Sequence, residues 1–365
     1  MEIVKNIGKI KSIELNNRNN SLNLIRLILA SFVLICHSNF FLGVEDKVNP
    51  IINYILYLAV PSFFVISGYL ITASALKNDI ITFLKKRFGR IYPAYFFSCI
   101  SIVVLFAPIL FCLNNNGNFD LIAYMTQSPS PISFLINSLP FSADSFTIGQ
   151  TLINLPNNHW NGSAWTLIFE FTCYIAIACI IYSFKKIQIK KINFSKLIFA
   201  IYIIFLVISF FSPRNDTLPL KGWNWINTAI YFFTVFLGGS IVFLIKDKIR
   251  FSYKLLSLAI LLCIGIMSFI PYHWAMELSA IPMIYIILFI SMTLKSPKWV
   301  QKNDISYGIY IYAWPIQCVI LSFFIYFTIP QNIYLYIVIC MVVIVLYSTL
   351  SWFLIEKPIL DRIRR

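Results

Sequence analysis

Arg26 and His37 lie eleven residues apart inside one apolar run, Leu22 to Leu42. If that run is helical, about 3.6 residues per turn returns both to one face after three turns, roughly 16 Å apart along the axis. A fixed cation at one depth and a titratable imidazole at another suit an extended anionic ligand. The imidazole also has the proton affinity of a general base near neutral pH. Ionisable groups buried in an apolar span are costly to keep there, so they are functional candidates by default. Two plainer roles stay open at this level: Arg26 snorkelling to the nearer interface, and His37 as a satisfied packing residue.

Few other groups qualify. Glu170 sits in a later apolar run at a depth comparable with His37. A carboxylate there would orient the imidazole and favour its protonated form; pairing with some other polar group for structure alone is the even alternative. Asp304, Glu277 and Glu356 fall at run ends, where water is close. The stretch Lys85-Lys86-Arg87-Phe88-Gly89-Arg90-Ile91-Tyr92-Pro93 would, as helix, place Arg87 and Arg90 side by side at i and i+3, a geometry suited to phosphate. A cationic anchor at the membrane surface explains it equally. Ser67-Gly68-Tyr69 lies near the level of Arg26, and Gly68 allows close backbone approach.

The elements that must carry these residues follow from composition. Of 365 residues 59% are hydrophobic and only 12% charged. Long apolar runs recur throughout, which excludes a water-soluble globule and predicts an all-α integral membrane protein of about ten transmembrane helices. The runs are 22–42, 52–76, 91–113, 164–184, 197–213, 225–245, 255–274, 275–294, 305–329 and 332–355. Each is long enough for ~30 Å of hydrocarbon. The 34 Phe and 20 Tyr suit interfacial belts.

Counted across alternate connections, 25 of the 29 Lys and Arg fall on one side, leaving Lys47, Arg214 and Lys221 opposite and Arg26 within a span. The positive-inside rule then puts both termini in the cytoplasm. The net charge of +15 thus orients the chain and meets anionic lipid; it gives no reason to expect nucleic acid. The polar first twenty residues argue against a cleavable leader. The domain reading is a cytoplasmic segment 1–21, a membrane domain 22–356 and a tail 357–365. All eight cysteines fall in apolar runs without CxxC spacing, so neither disulfides nor a metal site is expected. The connection 114–163 is unusually long, carries no Lys or Arg and contains apolar stretches, as would a segment lying on the membrane or folded over a cavity.

Six ordered segments resemble the acyltransferase-3 family of bacterial membrane O-acyltransferases. They are Arg26 to His37; Val60-Pro61-Ser62-Phe63-Phe64-Val65-Ile66-Ser67-Gly68-Tyr69; Lys86-Arg87-Phe88-Gly89-Arg90-Ile91-Tyr92-Pro93; Ala164-Trp165-Thr166-Leu167-Ile168-Phe169-Glu170; Ile305-Ser306-Tyr307-Gly308-Ile309-Tyr310-Ile311; and Phe353-Leu354-Ile355-Glu356-Lys357-Pro358. Any one is weak; the ordered set, spanning residues 20–358, is specific.

The resemblance implies transfer of an acyl group, usually acetyl, from cytoplasmic acyl-CoA to a hydroxyl of a cell-surface carbohydrate such as O-antigen of lipopolysaccharide, capsule or exopolysaccharide. It implies a multi-pass protein of the bacterial cytoplasmic (inner) membrane, with acetyl-CoA as co-substrate, membrane lipid as surroundings and no permanently bound cofactor. His37 would be the catalytic histidine, with Arg26 and Glu170 beside it. Arg87 and Arg90 would hold the CoA phosphates, with Arg26, Ser67, Tyr307 and Tyr310 completing that site. Trp165 and, in the long loop, His159 are candidates for the acceptor. Where many relatives have a histidine before an aromatic-Pro pair, this chain has Ala313-Trp314-Pro315, which leaves more of the work to His37. The hydrolase-like outer domain of some relatives is not expected here, so the membrane domain or a separate partner must complete the transfer. Direct transfer and an acyl-histidine intermediate both remain open. A transporter or flippase of a lipid-linked sugar, or an acyltransferase with another acceptor, are the rival readings. Oligomeric state and the acceptor's identity are not legible.

Overall fold

The computed structural model describes residues 21–139, 147–187, 193–211, 225–249 and 251–364, all helix, turn or irregular chain among those residues. Several cations that entered the topology count (Lys5, Lys9, Lys11, Arg18, Lys190, Lys191, Arg214, Lys221, Arg250 and Arg365) lie outside the described residues. Nine described helices are long and apolar enough to cross a membrane, and a tenth apolar helix, Tyr253–Phe269, is slightly shorter. The ten apolar runs therefore become ten helices. Two of them extend beyond the expected ends: Ile80–Asn114 takes in the cationic stretch before the third run, and Ile333–Ile363 runs on into the tail.

The chain divides into two compact units. The first comprises residues up to Leu29, Tyr57–Phe83 and Phe169–Lys302. It holds the start of α1 (Leu22–Phe41), α3 (Ala59–Lys77), most of α8 (Thr166–Ile187), α9 (Phe194–Phe211), α10 (Trp225–Leu244), α11 (Tyr253–Phe269), α12 (Tyr272–Thr293) and α13 (Lys298–Lys302). Asn23 anchors the start of α1 by donating to the carbonyls of Val300 and Gln301.

Helices α3 and α10 cross with their backbones nearly touching, because small residues face each other where side chains would hold them apart. A Cβ on Gly68 would overlap the Phe236 carbonyl oxygen, and one on Gly239 would overlap that of Val65. Ser240 Oγ lies 3.3 Å from the Gly68 carbonyl and 3.1 Å from that of Phe236. Gly68→Ala must separate the helices and should destabilise the protein by roughly 1–3 kcal/mol. Thermal unfolding in detergent checks this; a variant as stable as wild type would refute the close crossing.

The second unit comprises Ala30–Leu56, Leu84–Ile168 and Asn303–Arg365. It holds the rest of α1, α2 (Pro50–Tyr57), α4 (Ile80–Ser101), α5 (Ala107–Asn114), α14 (Ser306–Tyr326), α15 (Ile333–Ser351) and α16 (Lys357–Arg364). Single π-helical turns, Ile102–Phe106 and Trp352–Glu356, join α4 to α5 and α15 to α16. The long connection is partly structured, with short helices α6 (Leu121–Met125) and α7 (Pro131–Ser138). α6 begins on an Asp120 cap and α7 on a Ser130 cap with Pro131 following, the usual start signals. Asn114 fastens the later part of the loop by donating to the Thr151 carbonyl at 3.1 Å.

Candidate functional site

In the second unit His37 is buried, 9% exposed, and its ring meets the indole of Trp314 edge-to-face at 4.7 Å. Phe40 stacks on the same indole and Phe41 tilts against it. One helical turn beyond Trp314, Gln317 is fully buried and donates to the Leu34 carbonyl and to Ser38 Oγ, at 3.1 and 2.8 Å. Trp314 and Gln317 stand at i and i+3 on α14, and Leu34, Ser38 and Phe41 share a face of α1. This double contact fixes the rotation of α1 and hence the direction of His37. His37 Nδ1 is buried and makes no hydrogen bond among the described residues. A buried ring nitrogen in that condition is costly to keep, and it is the group that an incoming hydroxyl could occupy.

Trp314 is itself positioned from the long loop. Its Nε1–H donates to the His159 carbonyl at 2.7 Å, which satisfies the polar edge of a ring that is otherwise buried. The Gly162 backbone lies flat against the indole, where a Cβ would overlap the ring. Asn161 Nδ2 reaches Cys99 Sγ at 3.4 Å, and Trp160 Nε1 donates to Thr151 Oγ1 at 3.0 Å. His159 thus serves through its carbonyl, while its ring is exposed, with a pKa held below the ordinary histidine value by partial desolvation. Trp165, at the loop's end, is half-buried. Gly162→Ala should push the indole off its seat against His37 without breaking any helix. A displacement of about 1 Å at a reacting group costs on the order of 100-fold in rate. The rate of the transfer that the resemblance implies checks this, with near-normal turnover as the contrary result.

Arg90 is enclosed by groups the local sequence did not reveal. Its Nη2 lies 2.5 Å from Asp304 Oδ2, its Nη1 3.8 Å from Glu356 Oε2, and its guanidinium sits over the rings of Tyr307 and Trp352. Asp304 also accepts from Ser306 Oγ, and Trp352 donates to Asn303 Oδ1. α4, α14 and the π-helical turn before α16 meet at this cluster. Gly89 permits the approach of α16, since a Cβ there would overlap Ile363. With its guanidinium engaged by Asp304 and Glu356, Arg90 offers a phosphate little attraction. Arg87 stands one turn earlier on α4 and is half-buried. The two arginines are on one helix, as the spacing predicts, but Arg90 is turned to the carboxylate cluster.

The other motif tyrosines use their hydroxyls internally. Tyr307 donates to the Ile91 carbonyl at 2.9 Å; Tyr310 donates to the Ser163 carbonyl at 2.8 Å and shares a hydrogen bond with Thr166. These contacts seat the loop's end and α4 against α14. Ala313, at the position where the resemblance leads one to expect a histidine, is fully buried.

In the first unit Ser67 Oγ donates to Glu170 Oε1 at 3.0 Å, and Tyr174, one turn along α8, donates to the same oxygen. Glu170 is therefore a polar clasp between α3 and α8. Ser67, Gly68 and Tyr69 divide the work between them. The serine binds the carboxylate, the glycine admits α10, and the tyrosine ring packs edge-to-face on Phe243. Arg26 is half-buried on α1, which runs without a break from Leu22 through His37. Sequence reasoning passed over Gly162, Gln317 and Ser38. The available signal was a tryptophan in an apolar span, whose N–H demands an acceptor.

A family profile described as an acyltransferase domain matches residues 19–352. The chain is 26% identical over 356 residues to the O-acetyl transferase of Shigella phage Sf6, covering 95% of this chain and 97% of that protein. It is 26% identical over 173 residues to nodulation protein 10 of Rhizobium leguminosarum bv. viciae, about half of each chain (46% and 45%). With the O-acetyltransferase OatA of Staphylococcus aureus the identity is 24% over 338 residues, 83% of this chain but 52% of that relative. No solved structure matches.

Proposed function

Because the chain belongs to the acyltransferase-3 family, we propose that it moves an acetyl group from cytoplasmic acetyl-CoA to a hydroxyl of a cell-surface carbohydrate, in the bacterial cytoplasmic membrane. The observation that carries the site is the buried His37, seated on Trp314 with Nδ1 making no hydrogen bond among the described residues. The near full-length similarity to a protein named O-acetyl transferase supports acetyl as the group.

In this reading His37 is the general base. It takes the acceptor hydroxyl's proton as that oxygen attacks the thioester carbonyl. The new C–O bond forms, the C–S bond breaks, and the proton passes to the departing CoA thiolate. Trp314 and Gln317 hold the imidazole and its helix in position. Arg87, with Lys85 and Lys86 on the same helix, meets the CoA phosphates, while Arg90 orders that helix through Asp304 and Glu356. Arg26, three turns before His37 on α1, supplies a further positive charge to the donor, and Glu170 works through Ser67 by fixing α3. The long loop, which already holds Trp314, carries acceptor selection, with Trp165 and the exposed His159 ring as its contacts.

The test is compositional. Deleting the gene should remove O-acetyl groups from one surface glycan, with restoration by the wild-type gene and none by His37→Ala. A glycan unchanged in all O-acyl content would sink the assignment.

A further inference from the structure

The first unit contains a cavity that the proposed transfer does not use. It lies among α9, α10 and α12, has a volume of about 200 Å3, and is lined by apolar and tyrosine side chains. Its floor is Tyr202, Ile284 and Leu288, all buried; at its margin stand Phe199 and Ile281, 52% and 57% exposed. Phe251 closes one end, stacked on Tyr285 at 5.6 Å, and that tyrosine's hydroxyl accepts from the Ser252 N–H at 2.9 Å. The connection carrying Phe251 is therefore fastened to α12.

Charge says what fits. The turn leading to this end is Lys246-Asp247-Lys248, and Lys254 opens α11 beyond it. Lys248 and Lys254 are exposed, and Tyr253 between them is 59% exposed, as an interfacial ring would be. An apolar cleft too small for a whole lipid, open at its side and bordered at one end by lysines, matches one fatty chain with an anionic headgroup above it. Beyond the hydroxyls of Tyr202 and Tyr285, the latter engaged with Ser252, a sugar or a nucleotide would find no polar side chain among the described lining residues.

We propose that this cleft binds one acyl chain of an anionic phospholipid, whose phosphate is met by Lys248 and Lys254. The lipid comes from the lysine-rich leaflet and stays bound when bulk lipid is removed.

Native mass spectrometry of the full chain purified in detergent tests it, with phosphatidylglycerol and phosphatidylcholine added in equal amounts. Wild type should retain one phosphatidylglycerol in preference to phosphatidylcholine. Ile281→Trp, which fills the cleft from its exposed margin, should abolish retention of that lipid. Lys248→Glu leaves the cleft intact and should lower the preference by about fivefold or more, from roughly 1 kcal/mol per interfacial cation. Equal retention of both lipids, or a preference untouched by either substitution, would overturn the site. Should Ile281→Trp fail to fold, Lys248→Glu alone decides between these outcomes.

Discussion

His37→Ala should lower acetyl transfer by about 100- to 10,000-fold, the usual contribution of a positioned general base. The protein should still insert and fold, because Gln317 continues to hold Leu34 and Ser38 and fixes α1 without the imidazole. His37→Gln is the sharper companion, since it keeps bulk against Trp314 and removes only the base. Both variants should bind acetyl-CoA as wild type does, so the loss falls on kcat rather than KM. A loss confined to KM would make His37 a binding group. Transfer within a few-fold of wild type would return it to the role of packing residue.

The second large effect concerns the two arginines of α4. Arg90→Ala removes the guanidinium that Asp304 and Glu356 both face; their side chains are only 11% and 3% exposed. Breaking a buried ion pair by removing one partner costs about 3–5 kcal/mol. That is a large fraction of the stability of most domains, so Arg90→Ala should yield little folded protein. Replacing both carboxylates by their amides along with Arg90→Ala removes the uncompensated charge and should recover part of the yield. Arg87→Ala should instead fold normally and raise the apparent KM for acetyl-CoA. Thermal unfolding together with donor titration separates the two arginines. A stable Arg90→Ala with raised KM would restore it as a phosphate ligand.

Much of the fold follows from one-dimensional signals. A run of about twenty apolar residues is long enough to cross a bilayer whatever its neighbours are, so the ten helices were legible from length alone. The extension of α4 back to Ile80 was less so, because Lys85, Lys86, Arg87 and Arg90 lower the apolar count without being poor helix formers. The eleven-residue interval from Arg26 to His37 needed only helical period. Partners were another matter. Asp304 lies 214 residues from Arg90 and looked like a carboxylate at a wet span end; only packing of α14 and the π-helical turn around α4 brings it and Glu356 to the guanidinium. Ser67 and Glu170 are 103 residues apart, and nothing local to either names the other. Ala313 stood out as a departure from the pattern the resemblance implies, but the neighbouring Trp314 did not, and its seat depends on Gly162 and the His159 carbonyl, contributed by a loop whose sequence carries no periodic signal. Chemistry-bearing residue types were visible; the long-range pairs that orient them were not.

The most direct measurement uses purified protein in proteoliposomes, supplied with acetyl-CoA radiolabelled in the acetyl group and a carbohydrate acceptor prepared from the host surface. Wild type should place label on the carbohydrate as an alkali-labile ester, one CoA thiol appearing per ester formed, and His37→Gln should do neither. Carbohydrate crossing the bilayer with no label transferred, or labelling that persists in His37→Gln, would contradict a membrane acyltransferase built on His37.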